Sequence, residues 1–138
     1  MVRNGVWYLR NSDTSGPADI TFVYGDAGDT PVAGDWNGDG IDTPAVARPG
    51  DDEAPNGTDT GCFDCPFRWL LRNTNTTGRA DTEYECGDEH PVPADWIGDG
   101  HDSCGYVVGN EWTITTNTEP LTKNFTFGDP GDTPLTWR

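Results

Sequence analysis

Part of this chain is written twice. Gly5-Val6-Trp7-Tyr8-Leu9-Arg10-Asn11-Ser12 is matched by Phe67-Arg68-Trp69-Leu70-Leu71-Arg72-Asn73-Thr74, with Trp, Leu, Arg and Asn in the same places. Thr14-Ser15-Gly16-Pro17-Ala18-Asp19 is matched by Thr76-Thr77-Gly78-Arg79-Ala80-Asp81, and the step from Trp to Asp is the same in both (19 − 7 and 81 − 69). Pro31-Val32-Ala33-Gly34-Asp35-Trp36-Asn37-Gly38-Asp39-Gly40 then pairs with Pro91-Val92-Pro93-Ala94-Asp95-Trp96-Ile97-Gly98-Asp99-Gly100. A third copy opens at Glu111-Trp112-Thr113-Ile114 and runs through Phe125-Thr126-Phe127-Gly128-Asp129-Pro130-Gly131-Asp132-Thr133-Pro134, an echo of Phe22 to Pro31. Self-similarity at such a period marks a repeat architecture.

The repeats divide residues 1–138, read as a single domain, into a first copy (about 5–49), an insertion (about 50–66), a second copy (about 67–109) and a partial third (about 110–138). Each copy reads as four short strands; in the first they are roughly 5–11, 19–24, 31–36 and 43–48. Aromatic and β-branched residues fill these runs, and Gly, Pro, Asn and Asp punctuate the gaps. No segment holds a helical period. The expectation is an all-β chain of about eleven strands, in three imperfect four-stranded, propeller-blade-like repeats. The last repeat is incomplete, so the last sheet is expected to keep an open edge, which invites another strand.

Eight Lys+Arg against 24 Asp+Glu give a formal charge of −16, which repels nucleic acid and anionic membranes and attracts cations. No apolar run has the length of a membrane span, so membrane insertion is not expected. Four cysteines, Cys62, Cys65, Cys86 and Cys104, favour disulfides and an extracellular or cell-surface location. Three connectivities are possible. Zinc is disfavoured because the Cys62-x-x-Cys65 spacing has no second ligand pair.

The chemistry sits in the Gly-rich loops. Asp35, Asn37 and Asp39 alternate with Trp36 and Gly38, an arrangement that turns three side-chain oxygens toward one centre. Gly40 permits the turn that aims the Ile41 carbonyl inward, and Asp42, Thr43 or water would complete a calcium shell of hard oxygens. The second loop offers Asp95, Asp99, the His101 carbonyl and Asp102, but Ile97 stands where the first has Asn37. The alternative for both is an Asn/Asp-Gly turn without metal.

Tyr24-Gly25, Pro31 through Gly40, and Ala45-Val46-Ala47 together resemble the FG-GAP repeat, close kin to the VCBS repeat, across most of the chain. The resemblance implies blades of integrin-type β-propellers and of bacterial surface proteins, with calcium loops that stiffen the turn between strands. It also implies a role in adhesion or in carbohydrate or protein binding. That family carries Asp at the ninth loop position, where this chain has Thr43 and Ser103; Asp42 and Asp102 stand one residue earlier.

No catalytic pattern accompanies the loops. His90 and His101 have no motif partner, and neither GxSxG nor HExxH nor a P-loop occurs. The expected function is a non-catalytic extracellular calcium-binding repeat module for surface adhesion or for protein or glycan binding. Two alternatives stand beside it: a structural subunit that polymerises head-to-tail into a filament by strand complementation, and an accessory domain of a secreted hydrolase. Self-association through an open sheet edge is the expected partner mode. Trp7, Trp69 and Trp112 recur at one repeat position and Trp36 and Trp96 at another, which points to core packing.

Overall fold

The computed structural model describes residues 1–50, 67–87, 90–115 and 122–136. Among these the chain is all-β, with eleven strands and no helix. They are β1 (Val2–Arg3), β2 (Val6–Leu9), β3 (Ile20–Val23), β4 (Thr30–Gly34), β5 (Thr43–Arg48), β6 (Arg68–Leu71), β7 (Thr82–Glu85), β8 (His90–Pro91), β9 (Gly105–Val108), β10 (Glu111–Ile114) and β11 (Lys123–Thr126). Three antiparallel sheets result: sheet 1 (β1-β2-β3), sheet 2 (β4-β5-β6-β7) and sheet 3 (β8-β9-β10-β11). None of them closes into a barrel.

The sheets are out of phase with the sequence repeats. Sheet 2 takes β4 and β5 from the first copy and β6 and β7 from the second, and sheet 3 joins the second copy to the third in the same way. One expectation is corrected by this. The last sheet has four strands, and the three-stranded sheet is the first. The physical reason is that the link between copies is a strand pairing, β5 on β6, so a sheet begins in mid-repeat. Trp36 also leaves its expected strand: β4 ends at Gly34, and the indole turns inward.

Cross-strand aromatic pairs build each sheet. Trp7 faces Phe22, Trp69 faces Tyr84 and Trp112 faces Phe125 across β-pairs. All three pairs stack, with ring centroids 5.8, 6.3 and 5.8 Å apart. Such pairs add stability beyond their area burial.

Period-2 alternation then joins the sheets. Trp7, Phe22 and Tyr24 of sheet 1 pack on Val46 and Leu70 of sheet 2. The opposite face of sheet 2, with Ala45, Ala47, Trp69 and Leu71, packs on Trp36, Cys86, Cys104 and Tyr106. β5 is therefore covered on both faces, and its first five residues are all buried. The side chains of Ala45 and Ala47 leave room for the Trp36 and Trp69 rings, which meet edge-to-face at 6.1 Å. A disulfide, Cys86–Cys104, ties the end of β7 in sheet 2 to the start of β9 in sheet 3. Cys62, Cys65 and nearly all of the insertion lie outside the described residues.

Candidate functional site

The two Gly-rich loops lie side by side. Residues 35–42 join β4 to β5, and residues 95–102 lead into β9. Gly34↔Thr43 closes the first loop and an Ala94↔Ser103 bridge closes the second. Inside each, the leading aspartate gathers backbone N–H groups. Asp35 accepts from Asp39 at 3.0 Å and from Gly40 at 2.7 Å. Asp95 accepts from Gly98, Asp99 and Gly100 at 2.7, 3.0 and 2.9 Å. The Gly100 N–H above all, with its neighbours, holds the Asp95 carboxyl below the usual range against an opposing desolvation cost. Gly40 and Gly100 sit at φ +83° and +88°, where a side chain would strain the turn.

The remaining loop residues fall into two groups. Asn37 and Asp39 join Asp35 in the first loop: Asn37 Nδ2 donates to Asp39 Oδ2 at 2.9 Å, and Asp39 Oδ1 accepts the Ile41 N–H at 2.9 Å. Asp99 Oδ1 likewise accepts the His101 N–H at 3.0 Å. Other residues turn elsewhere. Thr43 directs its hydroxyl to the Gly34 carbonyl at 3.4 Å, and its own carbonyl accepts the Trp36 indole at 3.0 Å. The Asp42 carbonyl accepts from Asn75 at 3.2 Å. Asp102 reaches across to the first loop, where its Oδ2 accepts the Asp35 N–H at 2.9 Å. The His101 ring lies against Gly38, where an added Cβ would come within 2.8 Å of Nε2.

The first loop carries donor types of the kind calcium takes. Asp35, Asn37 and Asp39 supply hard oxygens on one loop, and a carboxylate oxygen that accepts one N–H keeps a second lone pair. Among the described residues no three His, Cys, Asp or Glu side chains converge as a metal-holding group. Coordination would thus draw on the Asn37 amide, the Ile41 carbonyl and water beside the two carboxylates. Loop two, with a half-exposed Ile97 in place of the amide, has one oxygen fewer.

A second feature was not read from the sequence. Among the described residues no further sheet covers the outer face of sheet 3. Trp96, Val107, Trp112, Phe125, Phe127 and Leu135 line an apolar cleft of about 560 Å³ there, rimmed by Asp129 and Asp132. The same repeat positions are covered elsewhere. Tyr24 is 6 % exposed, while Phe127, its equivalent, is 72 % exposed. The local backbone is the same in both: Trp7 Nε1 donates to the Tyr24 carbonyl at 3.0 Å and Trp112 Nε1 to the Phe127 carbonyl at 3.1 Å.

The repeated Arg-Asn pairs also gain a role. Arg10 binds the carbonyls of Thr14 and Pro17 and the Thr14 hydroxyl; Arg72 binds Thr76, Arg79 and the Thr76 hydroxyl in the same way. Asn11 and Asn73 each donate a backbone N–H to the aspartate eight residues on, Asp19 or Asp81, at 2.8 Å. Their identical spacing in the two copies was the available signal. His90 and His101 are both exposed, and the His101 ring nitrogen Nδ1 lies 3.6 Å from Asp99 Oδ1.

Comparison with protein-family models, with curated proteins and with solved structures finds no match.

Proposed function

We propose that this chain is a non-catalytic, calcium-stiffened extracellular repeat module that acts by protein docking, in adhesion or in a surface structure. Its three sheets correspond to blades of the propeller type. The observation that carries the reading is the contrast between Tyr24 and Phe127. Tyr24 is sealed by the following sheet, and among the described residues Phe127, at the same repeat position, is left open. The partner class that fits is another repeat sheet, because Trp112, Phe125 and Phe127 of the cleft stand at the repeat positions of Trp7, Phe22 and Tyr24, which pack on Val46 and Leu70 of the next sheet. The disulfide between sheets 2 and 3 suits an oxidising compartment.

Calcium belongs to this reading as a brace. Asp35, Asn37 and Asp39 would hold it with the Ile41 carbonyl, and the ion would fix the link from β4 to β5. Asp95 and Asp99 would form the weaker counterpart.

The open face is tested with anilinonaphthalene sulfonate, a dye that brightens on apolar surface. Dilute native protein should enhance its fluorescence, and Phe127→Asp should abolish the enhancement. Equal signals from both proteins would remove the face from the account.

A further inference from the structure

We infer that the open face of sheet 3 and the open edge of sheet 1 are two halves of one joint, and that its occupant is a second copy of this chain. The inference rests on the docking reading above and names the partner.

The template for the joint is internal. Between sheets 1 and 2 the turn Asp26–Asp29 carries the chain from β3 into β4, and Arg48 of β5 clamps it. The Arg48 guanidinium donates to Asp29 Oδ1 at 2.8 Å, to Asp29 Oδ2 at 2.8 Å and to Asp26 Oδ2 at 2.6 Å. Asp129–Asp132 repeats this turn after β11. The Asp129 N–H donates to Asp132 Oδ2 at 3.0 Å, against 2.7 Å for Asp26 and Asp29. Thr133-Pro134-Leu135 follows as Thr30-Pro31-Val32 does. Among the described residues no strand lies beside it and no cation sits in its clamp.

Sheet 1 has the reciprocal gap. β1 holds the place that β5 holds in sheet 2: Arg3 stands opposite Val6 on β2, as Arg48 stands opposite Arg68 on β6. The ladder runs on through Met1, whose carbonyl accepts the Tyr8 N–H at 2.9 Å, as Val46 pairs with Leu70. Among the described residues no strand covers the outer edge of β1 where β4 would lie. Arg3 is exposed, and its guanidinium meets the Met1 sulfur at 3.9 Å rather than a carboxylate.

The two gaps match residue for residue. In β4 and β5 the register sets Thr30 against Ala47 and Pro31 against Val46. Carried over, Thr133 of one copy faces Val2 of the next, Pro134 faces Met1, and Arg3 enters the Asp129–Asp132 clamp. Sheet 1 of the second copy then covers Trp112, Phe125 and Phe127 with Met1 and Tyr8 in the places of Val46 and Leu70. Gly128 keeps the space for this: a Cβ on Gly25 would meet Val46 Cγ1 at 2.7 Å, whereas one on Gly128 would meet just Asp132, at 3.1 Å. Sheet 1 is also suited on its outer face, where Val23 is 50 % and Met1 79 % exposed. Such a joint is heterologous, so it extends from copy to copy or closes as a ring.

Native mass spectrometry of the full chain, from micromolar toward millimolar concentration, tests the joint. Dimers and larger species should grow with concentration. Arg3→Glu and Phe127→Asp, both at exposed positions, should each weaken association by about tenfold or more while the monomer melts unchanged. Val108→Asp, exposed but outside the joint, should leave association intact. A monomer throughout, or association indifferent to both joint variants, would overturn the inference. If that monomer still brightens the dye in a Phe127-dependent way, the docking face survives with another partner; if it does not, both readings fall together.

Discussion

Asp102 accepts the backbone N–H of Asp35 at 2.9 Å and returns its own N–H to the Asp35 carbonyl at 2.7 Å. Two residues 67 positions apart thus lock the second acidic loop onto the first, with both side chains buried. Asp102→Ala strands a buried donor and should cost about 1–3 kcal/mol. Asp102→Asn keeps an acceptor and should cost less. Urea unfolding monitored by tryptophan fluorescence checks the order of the two.

The disulfide acts on a different part of the same contact. Cys86 and Cys104 are 18 residues apart, so the bridge removes loop entropy from the unfolded chain. Replacing both by serine should lower stability by about 3 kcal/mol. A melting curve of the Cys86→Ser/Cys104→Ser protein that overlays the parent would contradict this.

Two buried tyrosine hydroxyls set the alkaline limit. Burial pushes the Tyr24 hydroxyl up from 10.0 to about 12, with Arg72 partly offsetting it, and burial raises Tyr84 further still. Among the described residues neither hydroxyl has a hydrogen-bond partner. A raised tyrosine pKa means that the unfolded chain loses its protons first. The stabilising contribution is therefore complete below pH 10 and declines as pH rises toward 12 and beyond. Thermal melts should fall across that window, and Tyr84→Phe should flatten the fall.

Arg72 should matter more than its place in a loop suggests. Its side chain is 16 % exposed and its hydrogen bonds hold the turn between β6 and β7. Arg72→Ala should destabilise the fold by about 1 kcal/mol through the lost hydrogen bonds, whose exposed carbonyls water can reach. Denaturant midpoints of Arg72→Ala and Arg10→Ala should shift in the same direction, since the two loops are built alike.

For the calcium brace, the melting temperature should drop in chelator, and Asp39→Ala should erase the difference. The linkage is simple: an ion bound by the native loop alone stabilises it by mass action. Identical melts of the parent in calcium and in chelator would leave the loop as a hydrogen-bonded turn.

Much of this fold was legible because aromatic residues recur. The spacing of Trp7, Trp69 and Trp112 announced the repeats and their buried role, and all three are buried. The phase of the sheets was not legible, because a repeat has no intrinsic first residue. β5–β6 pairing across the copy boundary decides it, and that is a long-range contact spanning the insertion. The bond from the Asp35 N–H to Asp102 was not legible, because sequence proximity hides the neighbouring loop that Asp102 caps. The open cleft was hidden for a similar reason. Phe127 and Tyr24 are nearly the same residue in the same motif, and what differs is the sheet that follows.

Hydrogen–deuterium exchange at low and high protein concentration tests the docking account most directly. Among the described residues no hydrogen bond or ion pair joins residues 1–3 to residues 129–136, so one copy alone gives no reason for their exchange to change together. The account predicts that both segments slow together as concentration rises, and that Phe127→Asp removes the slowing from both. Exchange rates that stay the same at every concentration would contradict it.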